Sequence, residues 1–184
     1  MDRDQQSSIY MVASVIGVLL IILVTWQIVR SNHYVSYTSP DKAFTIGHPG
    51  SWKLTEDFQG AAIVISTPLS NELDAFHDNI TVVIQDLSGR PMSLKKYTET
   101  AVHQMKVVFE SNLIILDQDS FYLSDTPGFK FVYIGKTEAS ELQIMNTWTI
   151  KDNIAYQVSY TALESSYEEF IDDAEKIIKS FKIN

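Results

Sequence analysis

The stretch LQIMNTWTIKDNIAYQVSYTA, residues 142–162, decides the fold. On its first arm Leu142, Ile144, Trp148 and Ile150 recur at two-residue steps, and on its second Ile154, Tyr156, Val158, Tyr160 and Ala162 do the same. That is the period of a strand with one buried face. Lys151-Asp152-Asn153 between the arms has hairpin length and turn-forming side chains, so the two strands are expected to be antiparallel neighbours. The alternate positions, Gln143, Met145, Thr147, Thr149, Gln157, Ser159 and Thr161, are polar but poor in charge, and are expected together on the opposite face. Such a face costs less to desolvate than one bearing carboxylates, which makes it a candidate partner surface.

Downstream, Tyr167, Phe170, Ile171, Ala174, Ile177, Ile178 and Phe181 fall at three- and four-residue steps and predict a helix with one apolar stripe. Ser165 and Glu168 have capping-box spacing, acids crowd the first turns, and Lys176, Lys179 and Lys182 close the end in keeping with the helix dipole. Glu164, Glu168, Glu169, Asp172, Asp173 and Glu175 then read as its solvated face rather than as paired catalytic carboxylates. Upstream, a second helix is expected from Leu94 to Phe109, capped by Ser93 after Pro91, with Leu94, Tyr97, Ala101, Met105 and Val108 inward. Further strands are expected at 34–37, 43–46, 62–66, 80–85, 113–116 and 129–134, the first two joined by a Ser39-Pro40-Asp41-Lys42 turn. Strands with two inserted helices predict an α+β domain built on an antiparallel β-sheet packed with α-helices.

Residues 9–29 carry no charge, and their only polar side chains are Ser14, Thr25 and Gln27. A run of about 20 such residues matches the hydrocarbon core of a bilayer, where a helix satisfies its own backbone. Tyr10 and Trp26 lie near its ends, where aromatic rings favour the headgroup zone. The expected organisation is a tail over 1–8, a retained single-pass transmembrane anchor in membrane lipid over 9–29, a stalk over 30–36 and one domain over 37–184. Arg3 and Arg30 balance Asp2 and Asp4 in the opening segment, so the net charge of −9 falls on the domain. An acidic domain is repelled by anionic headgroups and by phosphates, which argues against nucleic acid as a partner. The chain has no cysteine, which removes thiol chemistry and Cys-ligated zinc.

Several pieces occur in order: Phe44-x-Ile46-x-x-Pro49-x-x-Trp52, Asn79-Ile80-Thr81-Val82, Leu94-x-x-Tyr97, Tyr156-x-Val158-x-Tyr160-Thr161-Ala162 and Ser180-Phe181-Lys182. That succession resembles the PsbP family, named for the extrinsic oxygen-evolving-complex protein of photosystem II, and its bacterial and archaeal PsbP-like relatives. The resemblance implies an α/β/α sandwich, a non-enzymatic binding or assembly role and an extracytoplasmic or lumenal address. With it goes a membrane or envelope protein as partner.

Chemistry-bearing constellations are sparse. His33, His48, His77 and His103 show no paired metal spacing, and the one local His-carboxylate pair is His77-Asp78, a candidate for a divalent cation. Asp117, Asp119 and Asp125 read as acidic loop residues at even spacing, and they support the alternative of an ion or small-ligand sensing domain. No cofactor is expected. No G-x-S-x-G, Walker loop or G-x-G-x-x-G is present, so no catalytic residue is assigned.

Overall fold

The computed structural model describes residues 33–68, 76–138 and 140–184. The anchor expected over 9–29, with Tyr10 and Trp26, lies outside the described residues. Among those described, no helix is long and apolar enough to cross a membrane.

Among the described residues ten strands form two antiparallel sheets. Strands β1 (Tyr34–Thr38), β2 (Phe44–Pro49) and β10 (Lys182–Ile183) make a small sheet in the order β1-β2-β10. The large sheet contains β3 (Lys53–Phe58), β4 (Ala61–Ser66), β5 (Asn79–Asp86), β6 (Leu113–Leu123), β7 (Thr126–Lys136), β8 (Glu141–Lys151) and β9 (Ile154–Leu163), in the order β3-β4-β5-β9-β8-β7-β6. Helix α1 (Leu94–Phe109) lies on one face of it, and helix α2 (Ile171–Ser180) with the small sheet lies on the other. The α+β architecture is as expected. The strand expected at 34–37 forms as β1, and the departures concern other edges: the sequence pattern does not predict β3 or β10, and β6 runs on to Leu123.

The turns follow from their residues. Lys42 N–H donates to the Ser39 carbonyl at 2.8 Å, with Pro40 supplying the preset φ at the second turn position. The β6–β7 turn, Ser124 and Asp125, and the β8–β9 turn, Asp152 and Asn153, place both residues in the left-handed region. This mirror-image turn matches strand twist, and short polar side chains tolerate it. Trp52 N–H donates to the Pro49 carbonyl at 3.0 Å, returning the indole to the core.

The β8–β9 turn corrects the reading of the hairpin. A three-residue turn would set Ile150 against Ile154 and bring both apolar sets to one face. Because only Asp152 and Asn153 turn, Lys151 faces Ile154 and Trp148 faces Gln157. A shift of one residue in register moves every side chain of a strand to the other face. Ile144 and Trp148 therefore point towards α1, whereas Tyr156, Val158, Tyr160 and Ala162 point towards α2.

Two cores result. On the α1 side Phe131, Tyr133, Ile144 and Trp148 meet Leu94, Tyr97, Ala101, Met105 and Phe109. Helix α1 has the expected bounds, and Ser93 Oγ accepts from Lys96 N–H at 3.3 Å. Its inward stripe passes from Met105 to Phe109, leaving Val108 exposed rather than inward. On the α2 side Phe44, Ile46, Ile63, Ile80, Val158 and Tyr160 meet Ile177, Ile178 and Phe181, and the Phe44 and Phe181 rings stack at 5.4 Å. The apolar stripe of α2 is as expected but its start is not. Tyr167–Glu169 form a 3-10 turn, Phe170 precedes the helix without a side-chain cap, and the proposed Ser165 capping box does not form. Phe181 ends the helix, so Lys182 lies in β10 rather than in the last turn.

Burial of tyrosines gives the fold an alkaline limit. Desolvation, with the Glu56 carboxylate next, pushes Tyr37 up to about 12, and desolvation pushes Tyr167 up to about 12 against a hydrogen bond with Gln143. Tyr34 is raised further by desolvation and then by the hydrogen bond its hydroxyl donates to Asp173 at 3.0 Å, and Tyr160 by desolvation and the charge of Asp78. The folded state thus retains phenol protons that the unfolded chain releases near the ordinary value of 10. Their contribution to stability is complete below that value and is lost as pH rises towards 12. Urea midpoints measured from about pH 8 to about pH 11.5 are expected to fall only in the upper part of that range, in step with tyrosinate absorbance.

Candidate partner-binding site

Helix α1 covers only part of its face of the sheet, for a reason visible in the strands. The aromatic side chains beneath it, Phe129, Phe131, Tyr133 and Trp148, all come from β7 and β8, with Ile144 of β8 beside them. The next strands on that face, β9 and β5, offer Gln157, Ser159, Val83 and Gln85 instead. Trp148 fixes the helix in place, its Nε1–H donating to Thr98 Oγ1 at 2.9 Å while its ring lies 5.5 Å from Phe129 and 6.4 Å from Tyr97. The helix therefore stops short of β5, and a groove of about 270 Å³ opens along its flank.

Three glutamines from three elements converge on that groove: Gln104 on α1, Gln85 on β5 and Gln157 on β9. Met92, Met105 and Val108 supply its apolar wall. Among the described residues none that lines the groove carries a charge, although the chain as a whole has a net charge of −9. Gln157 is held by its neighbours, donating from Nε2 to Ser159 Oγ at 3.0 Å and to Asn146 Oδ1 at 3.3 Å. Asn146 Nδ2 in turn faces Met105 Sδ at 3.8 Å, linking the amide network to the helix. Carboxamides donate and accept alike, and with thioethers beside them they suit an uncharged amphipathic segment.

The seven residues expected on one polar face are divided by the register. Gln157, Ser159 and Thr161 are on the α1 side, whereas Gln143, Met145, Thr147 and Thr149 are on the α2 side. Thr147 and Thr149 are fully buried, their hydroxyls donating to the Val158 and Pro127 carbonyls at 2.8 and 2.7 Å. Met145 and Thr147 line a separate groove against α2, together with Lys130, Glu175 and Lys179. Gln157 is the one member of the set in the uncharged groove. Sequence patterning does not pick out Gln85, and its only signal for Gln104 is the place of that residue beside the inward Met105, at the border of the α1 stripe.

The other candidates are placed as follows. His77 Nδ1–H donates to the Thr67 carbonyl at 2.8 Å, and Asp78 is buried and accepts from Ser166 Oγ at 3.2 Å, which ties the start of β5 to the segment before α2. Among the described residues no group of three or more metal-ligating side chains is assembled. Asp117 and Asp119 are not loop residues but lie in β6, and only Asp125 is in a turn. Lys130 Nζ lies 2.7 Å from Asp117, and its hydrogen bond holds that carboxyl below its ordinary value. His48 is buried and donates from Nδ1 to the Pro49 carbonyl at 2.9 Å.

No protein-family model matches the chain, and no curated protein matches it in sequence. Solved structures do match it in fold. Cyanobacterial PsbP (CyanoP) from Synechocystis is 11% identical, with 82% of this chain and 92% of that chain covered and a TM-score of 0.61. LpqN, involved in cell envelope biogenesis of Mycobacterium tuberculosis, is 13% identical over 84% of this chain and 94% of its own, with a TM-score of 0.62. The Saccharomyces cerevisiae Ran-binding protein Mog1p is 11% identical over 82% and 95%, with a TM-score of 0.56. The chain therefore has the PsbP-like fold that the ordered motifs implied.

Proposed function

We propose that the chain is a single-pass membrane protein that presents its PsbP-like domain outside the cytoplasm and there binds, or helps to assemble, another membrane or envelope protein without catalysing a reaction. The observation that carries this reading is the uncharged amide-and-thioether groove beside α1, on an otherwise acidic domain. Such a groove accepts a neutral protein segment at low desolvation cost and discriminates against charged ones. The charge-free run over 9–29, with Tyr10 and Trp26 at its ends, supports the anchor. The same fold serves a Ran-binding protein in yeast and a protein involved in cell envelope biogenesis in M. tuberculosis, and both support a role by contact.

The full chain is expected to remain with membranes after alkaline washing and to leave them only in detergent. In sealed vesicles, protease access to the domain reports its side. A photo-crosslinker at Gln104 is expected to capture a membrane or envelope protein, whereas one at Glu168, on the solvated surface, is not. Recovery of the full chain in the aqueous fraction would remove the anchor, and equal capture from both positions would remove the groove.

A further inference from the structure

The large sheet has two edges, and they are built differently. Edge strand β3 is six residues long, carries Lys53, Glu56 and Asp57, and has a left-handed Asp57, φ 50°, one residue before its end. Charges and local twists of this kind discourage further pairing. Edge strand β6 is eleven residues long, without lysine or proline, and shifts register against β7 only between Ile115 and Asp117. Ile114, Ile115 and Leu116 are 43%, 39% and 48% exposed, and Tyr122 is 70% exposed. A long apolar edge is a template for one more strand.

The charges on β6 select the occupant. A second copy would pair antiparallel about a twofold axis, bringing the middle of the strand against itself. That middle is Asp117-Gln118-Asp119, so full overlap sets aspartate against aspartate between two chains of net charge −9 each. Asp117 and Asp119 share one face, because they pair with Val132 and Lys130 on β7. Asp117 is already held by Lys130, whereas among the described residues the Asp119 carboxylate meets only the Ser120 N–H, at 2.7 Å, and its hydroxyl, at 3.3 Å. On the other face Ile115, Gln118, Ser120 and Tyr122 offer no charge. We propose that the outer edge of β6, unpaired among the described residues, takes an extended segment of a partner protein by strand addition, with basic side chains over Asp117 and Asp119 and apolar ones over Ile115 and Tyr122. This contact is independent of the α1 groove and of membrane attachment.

The test uses the full chain in detergent micelles with a peptide of about ten residues alternating lysine and valine, and a twin alternating glutamate and valine. The lysine peptide is expected to bind about tenfold more tightly than its twin and to slow amide exchange from Ile114 to Tyr122. Asp119→Lys is expected to reverse the preference between the peptides, and Asp119→Asn to reduce it without reversal. Equal binding of the two peptides, a preference unmoved by Asp119→Lys, or protection appearing along α1 instead would overturn the proposal. So would β6 protection that grows with protein concentration in the absence of peptide, the signature of pairing between copies.

Discussion

Trp148→Ala is expected to lower the unfolding free energy by about 3–5 kcal/mol, the range for removing a fully buried large aromatic. Trp148 has no exposed surface and is the largest side chain between α1 and the sheet. Its loss removes contacts with Phe129 and Tyr97 and leaves the Thr98 hydroxyl without the indole N–H. Thr98→Val separates these terms, since it keeps the ring packing but leaves the buried indole N–H without its acceptor, and is expected to cost about 1–3 kcal/mol. Urea unfolding gives both values, and amide exchange along α1 is expected to rise more than exchange along α2, which packs against the other face. A Trp148→Ala protein within about 1 kcal/mol of the parent would show that α1 is not fastened through this residue.

Gly128→Ala is the second large effect, and it comes from adding an atom rather than removing one. Gly128 lies in β7 opposite Thr149, where a Cβ would overlap the main-chain carbonyl of Trp148. Strand backbone cannot swing aside as a side chain can, so β7 and β8 must part or bend, at an expected cost of about 1–3 kcal/mol. Gly89 is the control, with nothing within 4 Å of an added Cβ. Gly89→Ala is expected to lie within about 0.5 kcal/mol of the parent. If the two alanines shift the urea midpoint equally, close approach at Gly128 is not the reason for a glycine there.

Elements with their own local signals were legible in the sequence. Helix α1 was bounded correctly because Ser93 caps it and Pro91 precedes it, and the α2 stripe was right because the moment of that helix comes from large residues on one side. The misreadings arose where exposure removed the signal. Strands β3 and the second half of β6 are edges, so Glu56, Asp57, Asp117 and Asp119 stand where an interior strand would carry valine or isoleucine. Val108 continues a three-residue step and so reads as inward, while the helix returns to the core at Phe109. The face of β9 turned on one residue of turn length, which period-two counting within each strand does not register. The uncharged groove leaves one faint local signal, Gln104 at the border of the α1 stripe. Its glutamines belong to α1, β5 and β9, and only the fold brings them within reach of one another.

Strand β2 pairs on one side with β1, a few residues before it, and on the other with β10, where Phe44 faces Ile183. During synthesis on the ribosome, β2 therefore waits with one flank vacant until residues 182–183 have emerged, and Phe181 cannot reach Phe44 much before then. A nascent form of this kind displays unsatisfied main chain and an unfilled aromatic slot for the whole interval, a period of vulnerability in which a holdase would be useful.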